Sequence, residues 1–264
     1  MDKKLIFFDI DGTLIPEGDT EITKSAVEAI KRAQENGHLC FINTGRPIGT
    51  VSSNIMDVSF DGYICGCGTY ITYHDREILH VGLEEEIIAE LIRWNQKEKI
   101  DIFFEGSDGL TFPPESSFKD LSFVEDYFRS QNVNVRYFSY NAEVDFCADK
   151  FSMWFDEKNP PLAFRSFLDQ KFSVIERGKD FWEVIPKGYS KATGIDDLLD
   201  YLGMDLADTI SIGDSANDIA MLEHTGQSVL MGNGTPELKQ MVTYVTADIE
   251  EDGVYQALKH FQLI

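Results

Sequence analysis

Two aspartates that directly follow a short apolar segment are the first residues in this chain whose positions suggest chemistry. The segment, Leu5–Phe8, is long enough for a buried strand and too short for a signal or membrane segment, and Gly12 ends it. On an extended chain the carboxylates of Asp9 and Asp11 project to the same side, where they repel each other unless a cation lies between them. This stretch alone is equally compatible with a plain turn at Gly12 and an ordinary acid at the strand end.

A second acidic segment follows a predicted strand at residues 209–212. Asp214 comes directly after that strand, and Asp218 lies at the start of the next predicted helix. Ser215 and Asp218 have the spacing of a capping box, with Asp in place of the usual Glu or Gln, and could simply begin a helix, but Asp214 is then unexplained. Acids that converge at one sheet edge without a thiolate or an imidazole favour a hard cation, and Mg²⁺ in particular.

Three further residues could bind an anion. Lys191 lies in the first turn of a predicted helix, where the positive end of the helix dipole disfavours a cation, and an outside anion would remove that conflict. Thr44 and Gly45 precede another predicted helix and offer a hydroxyl and backbone amides to a phosphate. Each has an ordinary alternative, since a lysine is usually solvated and a threonine often caps a helix. Together with the acids, however, these residues provide the charge neutralisation that phosphoryl transfer requires.

The candidate residues lie at the ends of elements that alternate between strand and helix. The first 70 residues predict strands at 5–8, 39–42 and 61–64 and helices at 23–36 and 47–56. The last third predicts helices at 190–202, at 217–224 and from 235, and strands at 209–212 and 229–231. This alternation is typical of a parallel sheet with helical crossovers, in which ligands bind at the carboxyl ends of the strands. Asp9, Thr44 and Asp214 all fall at such ends.

The middle third has a different rhythm and is predicted to be an inserted α+β unit of ordinary domain size. The predicted helices are 83–99, 117–130 and 161–170, and the predicted strands are 101–104, 133–138, 150–155, 172–177 and 181–185, with a turn-rich stretch at 106–114.

Composition narrows the possible functions. At 264 residues with 43% hydrophobic content, the chain can bury a core as one large domain or two ordinary ones. Its 23 basic and 46 acidic residues give a formal net charge of -23, which disfavours binding to nucleic acid or anionic membranes. Four cysteines in or beside apolar runs, with no expected targeting segment, favour reduced thiols and a cytoplasmic location. Cys65 and Cys67 have no second Cys or His pair nearby, which favours a structural role over a metal site.

The order and identity of these residues resemble the four motifs of the haloacid dehalogenase superfamily. The matching positions are Asp9–Leu14, Thr44–Arg46, Lys191 and Gly213–Asp218. The long insertion between the second and third motifs, together with Ser190, Met231–Gly234 and Glu251–Val254, is similar to the Cof-type branch with its type IIB cap. The resemblance covers nearly the whole chain. It implies a Rossmann-like three-layer core with a parallel sheet in residues 1–82 and 186–264, and an inserted α+β cap domain of type C2B in residues 83–185.

The resemblance also implies a role for each matching residue. Asp9 would be the nucleophile and a Mg²⁺ ligand, and Asp11 would be the general acid and base and contribute its backbone carbonyl to the metal. The remaining roles concern phosphate and metal: Thr44, Gly45, Lys191 and Asn217 would bind phosphate, Asp214 would ligate the metal, and Asp218 would support it directly or through water. Many relatives have Asn-Gly where this chain has Cys67 and Gly68, so no role is carried onto Cys67.

The function that the resemblance implies is a magnesium-dependent phosphatase, a phosphoric monoester hydrolase acting on small phosphorylated metabolites through an aspartyl-phosphate intermediate. Sugar phosphates and phosphorylated cofactors are the expected substrates, and the individual metabolite and the oligomeric state stay open. A dehalogenase is disfavoured because haloacid dehalogenases lack an acid at the position of Asp11. The alternatives are a phosphomutase of the same superfamily and a non-catalytic phosphometabolite sensor.

Overall fold

The computed structural model describes residues 3–141 and 143–264, whose contacts divide the chain into two compact units. The first unit contains the described residues up to Gly45 together with Ser53–Leu79 and Ser190–Ile264, and the second contains Arg46–Ser52 and His80–Tyr189. No helix among the described residues combines the length and the apolar character that crossing a membrane would require.

Fourteen strands and eight α-helices are present in the described residues. The strands are β1 Leu5–Phe8, β2 Leu39–Asn43, β3 Gly62–Cys65, β4 Tyr70–Tyr73, β5 Arg76–His80, β6 Ile100–Gly106, β7 Gly109–Phe112, β8 Val135–Tyr137, β9 Lys150–Phe155, β10 Phe172–Glu176, β11 Phe181–Pro186, β12 Thr209–Gly213, β13 Gln227–Leu230 and β14 Tyr244–Val245. The helices are α1 Lys24–Glu35, α2 Ser53–Met56, α3 Glu85–Lys97, α4 Lys119–Ser130, α5 Leu162–Lys171, α6 Lys191–Leu202, α7 Ile219–His224 and α8 Gly253–His260.

The sheet of the first unit has the strand order β14-β13-β12-β1-β2-β3-β4-β5, and it is parallel from β14 to β3. All four residues of β1 are buried, as expected for a parallel strand that is covered on both faces. The chain moves outward from β1 to β2 and β3, and later returns on the other side of β1 through β12. The loops after β1 and β12 therefore flank the point at which the strand order reverses, where open α/β sheets bind their ligands.

Helices cover both faces of this sheet. Leu5 and Phe7 of β1 pack with residues of α6 and α7 in one apolar cluster. Cys40 points to the opposite face, because side chains alternate along a strand, and its thiol contacts the Ile30 carbonyl of α1 at 3.9 Å. Helices α1 and α8 pack against each other. The predicted α/β class with a Rossmann-like three-layer core is confirmed.

Three local predictions were wrong. The helix predicted at 47–56 is a 3-10 turn at Ile48–Thr50 followed by the four-residue helix α2. The helix predicted from residue 235 is a 3-10 turn at Pro236–Gln240, and the side chain of Thr235 before it makes no capping hydrogen bond to the described residues. The turn-rich stretch 106–114 contains β7, and the antiparallel strand β4 extends the core sheet beyond β3 although neither β4 nor β5 was predicted.

The break in the predicted helix at 47–56 has a tertiary cause. Arg46–Ser52 belongs to the second unit, where the 3-10 turn contacts β6 and β7. A Cβ on Gly49 would lie 2.5 Å from the Gly106 carbonyl oxygen, so this close approach between two backbones requires glycine. Packing against another element therefore outweighs the local helical pattern.

The second unit is a six-stranded sheet with helices on both faces, in the order β10-β11-β9-β6-β7-β8. The pairs are antiparallel except for β7 with β8. Residues of α3 and α5 pack on Ile102, Phe104 and their neighbours, whereas Leu121 of α4 packs with Phe103 and Trp154 on the other face. That residues 83–185 form an independent cap domain stays a prediction.

Candidate active site

The loop after β1 begins with a buried acid and continues to an exposed one. Asp9 is 2% exposed, and its backbone N–H donates to the Ile212 carbonyl of β12 at 3.0 Å. Asp11 lies at the surface. The chain reverses at Gly12, which has φ +79°, and a Cβ there would lie 2.5 Å from Oδ2 of Asp214. Only glycine therefore allows the first acidic loop to lie against the carboxylate of the second.

Three carboxylates converge beyond the ends of β1 and β12. One oxygen each from Asp9, Asp214 and Asp218 lies within 4.8 Å of the others, a spacing that a single metal ion could bridge. The carboxylate of Asp11 is not part of this group among the described residues. The two acids that the sequence places side by side thus have different environments, since burial selects Asp9 for the cluster.

Lys191 joins two of these acids. Its buried ammonium group donates to Oδ1 of Asp9 at 2.5 Å and to Oδ1 of Asp218 at 2.6 Å. Ser190 caps the helix α6 by accepting from the Thr193 N–H, which places Lys191 at the first helical position. The sequence suggested that an outside anion would offset the unfavourable helix dipole at this lysine. In the structure the carboxylates of the protein itself already do so.

Asp218 both shapes the second acidic loop and completes the ion cluster. Its Oδ2 accepts from the backbone N–H groups of Asp214 at 2.9 Å and Ser215 at 3.1 Å. A Cβ on Gly213 would lie 2.6 Å from Cγ of Asp218, so the carboxylate is packed directly against the end of β12. The capping interpretation and the functional interpretation therefore coexist at Asp218, which is fully buried.

Burial and charge determine the electrostatics of the cluster. Burial, and then the repulsion of Asp218, raise the pKa of Asp9 despite the attraction of Lys191. The same two causes raise the pKa of Asp214 to about 7. Burial lowers the pKa of Lys191, but the attraction of Asp218 and Asp9 outweighs it and leaves that pKa raised. With three carboxylates and one ammonium group, the cluster has two formal negative charges in excess when all are ionised.

The other residues predicted to bind phosphate have different local environments. Thr44 is buried directly after β2, and its backbone N–H and carbonyl bond to Ile64 at 2.9 Å and Cys67 at 3.1 Å. Gly45 follows it, but a 3-10 turn at Ile48–Thr50 takes the place of the α-helix that was expected to begin there. Asn217 accepts a 2.5 Å hydrogen bond from the Ser215 hydroxyl. The phosphate-binding roles of these residues stay predictions.

Two residues near the cluster were missed by the sequence analysis. The buried side chain of Asn43 donates to the Lys191 carbonyl at 2.9 Å, which ties the end of β2 to the start of α6. The Thr13 hydroxyl donates to Oδ1 of Asp214 at 3.3 Å. Asn43 directly precedes Thr44, and Thr13 lies in the matching segment Asp9–Leu14, but the sequence analysis gave neither residue a role. Cys67, which departs from the pattern of many relatives, has φ +57°, a left-handed conformation that asparagine adopts more readily.

Comparison with known proteins shows similarity over nearly the whole chain. A family model described as haloacid dehalogenase-like hydrolase matches residues 6–258. A protein named putative phosphatase YkrA from Bacillus subtilis (strain 168) is 30% identical over 268 residues, with all of both chains covered. The 5-amino-6-(5-phospho-D-ribitylamino)uracil phosphatase YitU of the same organism is 29% identical, with 97% of each chain covered.

A solved structure is similar over the same extent. The structure of a sugar phosphatase described as HAD subclass IIB has a TM-score of 0.82 and 28% identity, and it covers 99% of this chain and 100% of its own. An HMP-PP phosphatase from Escherichia coli O157:H7 is 27% identical over 242 residues, with 89% of this chain and 86% of its own covered.

Proposed function

Because this chain belongs to the haloacid dehalogenase-like hydrolases and is a phosphatase, we propose that it is a Mg²⁺-dependent enzyme that hydrolyses small phosphorylated metabolites through a phosphoenzyme on Asp9. The observation that carries this proposal is the convergence of Asp9, Asp214 and Asp218 on one another and on the ammonium group of Lys191. The buried carboxylate of Asp9 follows β1, next to the point where the strand order reverses and where α/β sheets generally bind ligands.

The donor set fits a divalent cation. All three converging ligands are carboxylate oxygens, which magnesium prefers, and the excess of two negative charges equals the charge of one such ion. Asp9 and Asp214 would hold the ion, the backbone carbonyl of Asp11 would complete the set, and Asp218 would support it directly or through water. When bound, Mg²⁺ supplies positive charge that lets the phosphoryl oxygens approach this acidic site.

Each of the proposed site residues then has a separate role in the reaction. A carboxylate oxygen of Asp9 forms a bond to phosphorus, and the bond between phosphorus and the leaving oxygen breaks. Asp11 gives its proton to the departing alkoxide and later accepts one from the water that hydrolyses the acyl phosphate. The exposed position of Asp11 allows it to exchange protons with solvent. Lys191 holds the transferred phosphoryl oxygens, together with Thr44, the Gly45 backbone amide and Asn217.

Small metabolites are the proposed substrates, with sugar phosphates and phosphorylated cofactors first. The named relatives include a sugar phosphatase, an HMP-PP phosphatase and a phosphoribitylaminouracil phosphatase, all of which act on small phosphorylated molecules by name. The second unit would choose among such molecules, because the residues assigned above would contact only the phosphoryl group and the metal. A cytoplasmic location is part of the proposal.

A phosphate-release screen over a metabolite panel tests the proposal. We expect release with Mg²⁺, none in chelator, and none from Asp9→Asn under either condition. Full activity in chelator would overturn the metal assignment. Binding of metabolites without turnover would indicate a sensor, and transfer of phosphate between positions of a sugar without release would indicate a phosphomutase.

A further inference from the structure

A single turn of the first unit is bonded to both acidic loops of the site. This turn, Met231–Thr235, contains a hydrogen bond from the Gly234 N–H to the Met231 carbonyl at 2.9 Å. At one end, the side-chain Nδ2 of Asn233 donates to the Gly12 carbonyl at 2.8 Å. At the other end, the Thr235 N–H donates to the Asp214 carbonyl at 2.8 Å. The turn therefore links the loop that contains Asp11 to the loop that contains Asp214.

The amide of Asn233 is held at both of its polar atoms. Nδ2 donates to Gly12, while Oδ1 accepts from the Ile249 N–H at 3.0 Å. Ile249 begins a 3-10 turn. The segment just before Ile249 is also bonded to the turn that contains Asn233, because the Gly232 N–H donates to the Ala247 carbonyl at 2.9 Å. The Asn233 amide cannot rotate without losing one of these two bonds. Its bond to the Gly12 carbonyl therefore favours one position of that carbonyl.

Close backbone packing restricts the turn itself. A Cβ on Gly234 would lie 2.8 Å from the Asp214 carbonyl oxygen, and a Cβ on Gly232 would lie 2.5 Å from the Asp248 amide nitrogen. The turn is thus packed between Asp214 and the segment around Asp248, and a side chain at either glycine would separate them. It is a short, rigid connection with Asn233 as its contact to the first acidic loop.

We propose that Asn233 is a positioning residue that sets the spacing between the loop of Asp9 and Asp11 and the carboxylate of Asp214 for metal binding. Gly12 is the part of the first loop against which the Asp214 carboxylate packs, so a displacement of the Gly12 carbonyl moves this contact surface. Ligand distances in metal sites agree with their usual values to within about 0.2 Å, so even a small shift of Asp214 is expected to change the metal affinity. The proposal rests on the proposed function, because it assumes that these acids bind the metal.

Asn233→Ala removes both amide bonds. The residue is exposed, so the substitution leaves no cavity in the core. Partners outside the ligand set typically change metal affinity by about 10- to 100-fold, and we expect about tenfold weaker Mn²⁺ binding, or roughly 1.4 kcal/mol. Mn²⁺ binding is measured by electron paramagnetic resonance, with Asp214→Asn as the baseline for ions bound to other acids. If Asn233→Ala does not fold, Asn233→Ser replaces it.

Asn36→Ala is the matched control. Its Nδ2 also donates to a backbone carbonyl, that of Leu263, at 2.9 Å in the same unit, but at a place away from the acids. We expect this variant to lose stability without a change in Mn²⁺ affinity. In phosphate release, Asn233→Ala should need about tenfold more Mg²⁺ for half-maximal rate and recover its kcat at saturating metal.

The outcomes separate this inference from the function on which it depends. Equal Mn²⁺ affinity in Asn233→Ala and the unaltered protein would overturn the positioning role alone. Equal loss of affinity in Asn233→Ala and Asn36→Ala would overturn it as well, because the effect would then follow general stability. Failure of the unaltered protein to bind Mn²⁺ above the Asp214→Asn baseline would overturn both the metal site and the inference.

Discussion

Replacing Gly12 with alanine places a methyl group against the carboxylate of Asp214. The new Cβ would lie 2.5 Å from Oδ2 and 2.7 Å from Cγ of Asp214, whereas ordinary contacts begin at 3.4 Å. One of the two groups must therefore move by about 0.9 Å, which is the difference between those distances. The carboxylate is the end of a side chain and rotates more easily than the tight loop, so we expect Asp214 to be displaced.

Two effects with different magnitudes follow from the substitution. A residue with a side chain at φ +79° costs about 1–2 kcal/mol of stability, because its Cβ approaches its own backbone. Displacement of a catalytic group by about 1 Å can cost roughly 10²-fold in rate. Gly18→Ala isolates the first effect, since Gly18 has φ +83° and no described atom lies within 4 Å of its ideal Cβ.

The assay pairs chemical denaturation with Mg²⁺-dependent phosphate release. Both variants should lose about 1–2 kcal/mol in the free energy of unfolding. Only Gly12→Ala should lose roughly 10²-fold in kcat/KM, while Gly18→Ala keeps its activity. If the two variants were equally active, Gly12 would not be positioning Asp214, and the contact between the two loops would have no catalytic consequence.

Three further predictions concern the roles of individual groups. Asp9→Asn should abolish turnover and the formation of covalent phosphate. Asp11→Asn should still react with an activated aryl phosphate and release about one leaving group per site in a burst, followed by turnover that is about 10²- to 10⁴-fold slower than in the unaltered protein. Rapid quench and intact-mass measurements test this, and an adduct that persists in Asp9→Asn would contradict the assignment. Exchanging residues 83–185 for a related cap should change the preferred metabolite but not the metal dependence; an unchanged ranking would place substrate choice elsewhere. Burial and the repulsion of Asp218 raise the pKa of Asp214 from 3.8 to about 7, so in that interval Asp214 keeps its proton in the folded metal-free protein and loses it in the unfolded chain. The contribution of Asp214 to the free energy of unfolding should therefore fall as the pH rises from about 4 to 7. Asp214→Asn should reduce that fall, which thermal denaturation in chelator at a series of pH values measures. Identical pH profiles for the variant and the unaltered protein would show that Asp214 is not its cause.

Residue types and spacing were enough to predict several strands and helices and the grouping of the acids at one sheet edge. Short apolar runs identified β1, β2 and β12 to within a residue, because a strand buried on both faces is a continuous apolar segment. Ser190 marked the start of α6, since a serine that caps a helix acts on amides two or three residues away. Acids directly after two parallel strands must lie at one edge of the sheet, and so Asp9 and Asp214 could be placed together before any contact was known.

Which of these residues contact one another, and which of them are buried, depends on the tertiary structure. Burial separates Asp9 from Asp11 although they are two residues apart, and Lys191 bonds to Asp9 across 182 positions of the chain. The bond from Asn233 to Gly12 spans 221 positions. Residue spacing predicts which side chains share a face of one element, because the periodicity of the backbone is local. It does not predict which distant loops pack together, since that depends on the complementary shapes of surfaces that form only when the chain folds.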